Sequence, residues 1–311
     1  MSILDQRLEA LYRLRPKRTV KADFDAFWHR AQREVDAKPL LGERAAADFP
    51  IPAMSVDDVA YRGADGAIVR GTFVRPAFAA GRMPCVVAFV GASFPRTYPE
   101  RYAQWVLLGY AVFAVEMRGQ GHRTELGSAR GGSVEPLLDP EANEMRAAAV
   151  DGLRALRWLA EQPEIDVSRI CVMGEGEGGG LAVRMAALSE RVSLLVAENP
   201  SGSYLEYAVY ESAGQASEVA GLLSRYPEYA DRALDALSYF DLINLADRIR
   251  VPSLVATGLK DPVCPAETVF ALYNYLVCPK TMKVYPLAGH EVPEAQRREE
   301  MLFLIERFGI G

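Results

Sequence analysis

The chain has 311 residues, 50% of them hydrophobic and 24% charged, with a formal net charge of −6. That composition is globular and allows one large α/β domain or two smaller ones. It argues against a chain drawn by charge to nucleic acid or anionic lipid. No apolar stretch approaches the ~20 residues of a membrane helix, and "MSILDQRLEALYRLRPKR" lacks the apolar segment of a secretory signal, so a cytoplasmic protein is the expectation.

In chain order, the basic stretch "RLEALYRLRPKRTVK" reads as a solvated or subunit-contacting N-terminal arm. "DFDAFWHRAQREVDA" has apolar residues at helical spacing and opens with Asp23, which can cap a helix. "MSVDDVAYRG" and "AIVRGTFVRP" flank "ADG" and predict an antiparallel hairpin. The runs "CVVAFVG", "YAVFAVE", "RICVMG", "VSLLVAE", "PSLVATG" and "KTMKVYP" are short, apolar and rich in Val. Helix-length stretches separate them, as in "EMRAAAVDGLRALRWLAEQ" and "PAETVFALYNYL". Such alternation predicts an α/β fold: a mostly parallel, doubly wound sheet with helices on both faces. Residues 200–240 form a connection far longer than a crossover, predicting a helical insertion over the top of the sheet. With no repeats and no low-complexity linker, residues 1–311 read as a single domain. Cys85, Cys171, Cys264 and Cys278 have no C-x-x-C spacing and read as free thiols; with three histidines in the chain, a zinc site is not expected.

Residues 170–180, "ICVMGEGEGGG", carry the functional question. Gly174, Gly176 and Gly179 fit the dinucleotide fingerprint G-x-G-x-x-G, and Glu198 ends the next strand where a ribose-binding acid belongs. The same residues fit the nucleophile elbow G-x-S-x-G, with Gly176 at the serine. Glu175 and Glu177 would put negative charge into a loop meant for a pyrophosphate. The loop also follows at least three strands of another sheet, which is not where a fingerprint sits. The elbow reading explains more. Asp261 follows the strand "PSLVATG" and His290 follows "KTMKVYP", so elbow, acid and histidine would converge at the carboxyl edge of a parallel sheet, in the order nucleophile, Asp, His.

The chain resembles the acetyl xylan esterase/cephalosporin C deacetylase family of α/β-hydrolases. The resemblance runs through "DFDAFW", "YAVFAVEMRGQG", "DGLRALRWLAEQPEIDVSRICVMGEGEGGGLA", "GLKDPVCPAETVFALYNYL" and "VYPLAGHE". It implies the α/β-hydrolase fold, small O-acetyl ester substrates, no cofactor and often a ring-like homo-oligomer. The family pattern at the elbow is Gly-Gly-Ser-Gln-Gly-Gly, whereas this chain has Gly174-Glu175-Gly176-Glu177-Gly178-Gly179. The family's His-Gly-Tyr-Gly-like run after the third strand is here Val90-Gly91-Ala92-Ser93, and its aromatic run before the long helix is Asn143-Glu144-Met145-Arg146.

Without a side chain at Gly176 no acyl-enzyme can form there. What remains is His290 as a general base oriented by Asp261, and an anion site made by the backbone N–H groups of Glu177 and Ala92. That set suits His-promoted elimination of acetate, a lyase reaction. Hydrolysis by a His290-activated water is the alternative, and a non-catalytic binding protein a third. Ser93, Ser201 and Ser203 lack elbow geometry. Glu175 and Glu177 read either as solvated loop acids or as a second acid or base in the pocket.

Overall fold

The structure is a computed structural model and describes residues 2–63, 65–91, 98–118, 124 and 134–310. Helix α1 (Ile3–Arg13) is capped by Ser2, with Asp5 bonding back to the Ser2 N–H. Helix α2 (Phe24–Ala37) buries Phe24, Phe27 and Trp28. Strands β1 (Glu43–Ala47), β2 (Met54–Arg62) and β3 (Ile68–Pro76) follow, then β4 (Met83–Val90), α3 (Ala103–Leu107) and β5 (Ala111–Glu116). Next come α4 (Glu135–Leu138), α5 (Glu144–Ala160), β6 (Ile165–Glu175), α6 (Gly176–Leu188) and β7 (Leu194–Glu198). The insertion holds α7 (Leu205–Glu211), α8 (Gln215–Arg225) and α9 (Ala230–Leu237). The chain closes with β8 (Ser253–Gly258), α10 (Ala266–Tyr275), β9 (Lys280–Tyr285) and α11 (Ala295–Phe308).

All of these strands join one sheet in the order β1-β2-β3-β5-β4-β6-β7-β8-β9, parallel from β5 to β9. The first strands are therefore not a separate sheet, as the sequence suggested: β3 pairs antiparallel with β5 through Gly71↔Val115 to Val74↔Val112. Strand β1 had no signal in the sequence. "ERAAA" lacks apolar alternation and acts as an edge strand, held by its register with β2 and by Arg44 paired to Asp57 and Glu164.

Because successive side chains in a strand face opposite ways, each parallel strand feeds two cores. Cys85, Val87 and Phe89 of β4 face a cluster with α2, α5 and α6, while Val86 and Ala88 face one with Trp105 of α3 and Phe303 and Leu304 of α11. This is the α/β-hydrolase fold, with the predicted helical insertion in place. The four cysteines are buried and free, and no described helix is long and apolar enough to cross a membrane.

Three sets of contacts in the structure add to the sequence reading. Asp23 stands at the N-cap of α2 but makes no capping bond; its carboxylate accepts the Tyr239 hydroxyl at 2.5 Å. The N-terminal arm is strapped to the body: Arg18 pairs with Asp247 at 2.7 Å, Lys21 with Asp235 at 2.5 Å, and the Asn274 amide donates to the carbonyls of Leu11 and Leu14. Arg118, the first residue of "RGQG", is held by Asp151 and Asp65 in a bonded network, and Gly119, Gln120 and Gly121 lie outside the described residues.

Candidate active site

A parallel sheet puts the loops that leave β6, β8 and β9 at one edge. Residue Gly176 opens α6 directly after β6 and takes a φ of +55°, a left-handed conformation in which a side chain is strained. A Cβ built there would stand 2.9 Å from Nε2 of His290 and 3.2 Å from its Cε1. The other ring nitrogen, Nδ1, lies 2.8 Å from Oδ2 of Asp261. The second oxygen of Asp261 accepts the N–H groups of Val263 at 2.7 Å and Cys264 at 2.9 Å. That carboxylate is fully buried, while the His290 side chain is 20% exposed. The hydrogen bond that His290 donates to Asp261 raises the imidazole pKa above its ordinary 6.5, against the opposing effect of burial. Gly176, Asp261 and His290 are thus brought together as the sequence predicted.

The remaining elbow glycines serve close packing. A Cβ on Gly178 would lie 2.1 Å from the Phe89 carbonyl oxygen, and one on Gly180 would lie 2.2 Å from that of Ser201. At Gly176, the fingerprint glycine over which a pyrophosphate would have to pass, the His290 ring stands 2.9 Å from the Cβ position instead. Nor does Glu198 point to a ribose site. It pairs in register with Glu175 across β6 and β7, and both line a cavity of about 110 Å³ with Glu300, Arg101, Arg297 and Trp105. The dinucleotide reading falls on these two observations.

Glu175 is consequently not a solvated acid. It is half-buried, and burial, followed by the charge of Glu198, raises its pKa. Glu198 and Glu300 are raised as well, each first by burial. Glu177 differs. It sits in the first turn of α6 and accepts a hydrogen bond from Gln215 of α8 at 3.1 Å, so its carboxylate ties the elbow to the insertion. Ala92 and Ser93 lie outside the described residues.

The Ser201 N–H donates to the Gly176 carbonyl at 2.9 Å, which lays the loop after β7 over the elbow; Ser203 is buried there with its hydroxyl unpartnered. Asn143 caps α5 through Met145 N–H, and Arg146 pairs with Glu34 of α2, so both hold helices in place. Cys264 places a thiol, Asp261 an oxygen and His290 a ring nitrogen within 4.8 Å of one another. Burial raises that thiol's pKa and keeps it protonated, and both Asp261 oxygens are already engaged, so the trio does not fit a metal. Sequence reasoning missed Asn199, which bonds to the loop of His290. Its one signal was an Asn between a strand and Pro200, a place for a turn residue.

The chain matches the family described as acetyl xylan esterase (AXE1) over residues 1–307. It is 34% identical to the solved acetyl xylan esterase from Paenibacillus sp. R4, with a TM-score of 0.91 over 96% of this chain and 99% of that one. For acetyl xylan esterase 1 from Thermoanaerobacterium sp. JW/SL YS485 the identity is 28% and the TM-score 0.89, over 97% and 98% of the two chains. It is also 24% identical to the acetyl esterase Axe7A of Xylanibacter ruminicola, across 94% of this chain and 68% of that protein. With a hydrolase sheet, an elbow and an Asp–His pair at its carboxyl edge, this chain belongs to the acetyl xylan esterase family.

Proposed function

We propose that this protein acts on small O-acetylated compounds by base catalysis at His290, without an acyl-enzyme, and that the reaction is elimination of acetate. One observation carries the reading: Nε2 of His290 faces a residue that has no side chain, 2.9 Å from where its Cβ would be. The base is retained and oriented, while the nucleophile it would serve is missing. In the proposed step Nε2 takes a proton from the carbon next to the acetoxy-bearing carbon. The electrons of that C–H bond form a C=C bond, the C–O bond breaks, and acetate leaves with its electron pair. Asp261 fixes the imidazole tautomer and stabilises the imidazolium, which then releases its proton to solvent. The backbone N–H of Glu177 would hold the developing negative charge at the start of α6. Glu175, a half-buried carboxyl whose pKa is raised first by burial, lies within electrostatic reach of His290 and is the second acid we assign to the site.

Kinship with proteins named acetyl esterases favours a second reading, in which His290 takes its proton from a water that attacks the acetyl carbonyl directly. Mass spectrometry of a panel of O-acetylated compounds incubated with the protein separates the two. Elimination leaves an alkene lighter by one water than the alcohol that hydrolysis leaves, and unchanged substrates throughout would sink both readings.

A further inference from the structure

Strand β7 ends at Glu198, and the next residue, Asn199, is fully buried with a φ of +41°. Two of its polar groups reach β8 and a third reaches the His290 segment. Its N–H donates to the Ala256 carbonyl of β8 at 2.8 Å. Its side-chain oxygen accepts the N–H of Gly258, the last residue of β8, at 3.0 Å. Its side-chain nitrogen donates to the main-chain oxygen of His290. Two residues further on, Ser201 N–H holds the Gly176 carbonyl.

His290 lies in an irregular segment between β9 and α11, where no ladder or helix fixes the backbone. That segment is held at Ala288 by the Lys260 N–H, at 3.0 Å, and at His290 itself by Asn199. A primary amide suits this place because it carries a donor and an acceptor at fixed spacing, and Asn tolerates positive φ better than most residues.

We propose that Asn199 is a positioning residue of this site: its amide spans from the end of β8 to the His290 main chain and holds the imidazole in register with both Asp261 and the open place over Gly176. It touches no reacting atom. Its consequence for turnover rests on the reading of His290 as base, whereas the placement of the ring can be measured without any substrate.

The test uses Asn199→Gly, which keeps the positive φ and deletes the amide, and Asn199→Ser, a neutral side chain too short to span both groups. The His290 ring is titrated by NMR, its signal assigned as the one lost in His290→Ala. In the unaltered protein the ring should titrate above 6.5, the direction set by its hydrogen bond to Asp261. Both variants should move that titration down towards 6.5, because the hold of Asp261 loosens. On any acetylated compound turned over, kcat should fall by about 100-fold, the scale of a 1 Å misplacement, with KM little changed. A lower melting temperature with the His290 titration unmoved would make Asn199 merely structural and overturn the proposal. A readout on the unaltered protein guards against variants that do not fold: the Asn199 side-chain amide protons should exchange far more slowly than those of exposed asparagines. Fast exchange would also overturn it. Failure to find a substrate would count against the proposed reaction and leave both NMR results standing.

Discussion

The imidazole Nε2 of His290 lies 2.9 Å from the point where a Cβ on Gly176 would stand, so the ring and the missing side chain compete for nearly the same space. Gly176→Ser should therefore strain the elbow twice, through the φ of +55° and through displacement of the ring. A cost of about 1–2 kcal/mol in stability is expected from the backbone alone. Native turnover should not rise, although new hydrolysis of activated acetyl esters should be detectable. A large gain in native turnover would instead mark the protein as a weakened serine esterase.

His290→Ala should lower activity by about 10²–10⁴-fold, the range for a lost general base. Asp261→Asn should also lower it strongly while leaving ligand affinity largely intact, because Asp261 bonds Nδ1 and two backbone N–H groups, away from Nε2. Steady-state kinetics with binding measured separately would check both. Wild-type rates in His290→Ala would move the base elsewhere, and Glu175 and Glu177 would be examined first.

The pH profile follows from the raised pKa of His290, whose first cause is its hydrogen bond with Asp261. A base must be neutral, so activity should climb as pH rises through a value above 6.5. The sign for stability is opposite. The charged pair contributes fully below 6.5 and loses its contribution as pH rises through the folded-state value. A rate profile with its midpoint below 6.5 would contradict the pairing.

Glu198 and Glu300 give a second pH dependence. Burial, then the neighbouring Glu300, pushes the Glu198 carboxyl well above its ordinary 4.5. The folded chain thus keeps a proton that the unfolded chain releases, and stability should fall as pH rises above 4.5. Glu300→Gln leaves one carboxyl of the pair and should flatten that slope. Denaturant midpoints at several pH values would show it; equal slopes in the two proteins would remove the pair as the cause.

Two glycines should respond in opposite directions. Gly178→Ala would drive a Cβ to 2.1 Å from the Phe89 carbonyl oxygen, so severe destabilisation or failure to fold is expected. Gly221 lies within α8 and has open space around its missing Cβ, so Gly221→Ala should stabilise by about 0.4–1 kcal/mol. Thermal denaturation of the pair tests whether the elbow glycines serve packing.

The sheet, its parallel centre and the insertion were legible in the chain because their signals are local: apolar runs of strand length, separated by helix-length stretches. Gly176, Asp261 and His290 were legible for a related reason, since each follows a recognisable strand and parallel strands deliver their loops to one edge. What the tertiary structure decided arises between segments distant in sequence. Strand β1 exists through its partner β2, and Asp23 faces Tyr239 rather than its own helix. Glu175 and Glu198 meet because β6 and β7 lie in register, and Glu300 closes the cavity from α11. The glycines of the elbow are demanded by the Phe89 and Ser201 carbonyls, which no spacing in the chain announces. Asn199 is the clearest case. Its positive φ and its three bonds depend on where β8 and the His290 segment come to rest, and only packing of the whole sheet sets that place.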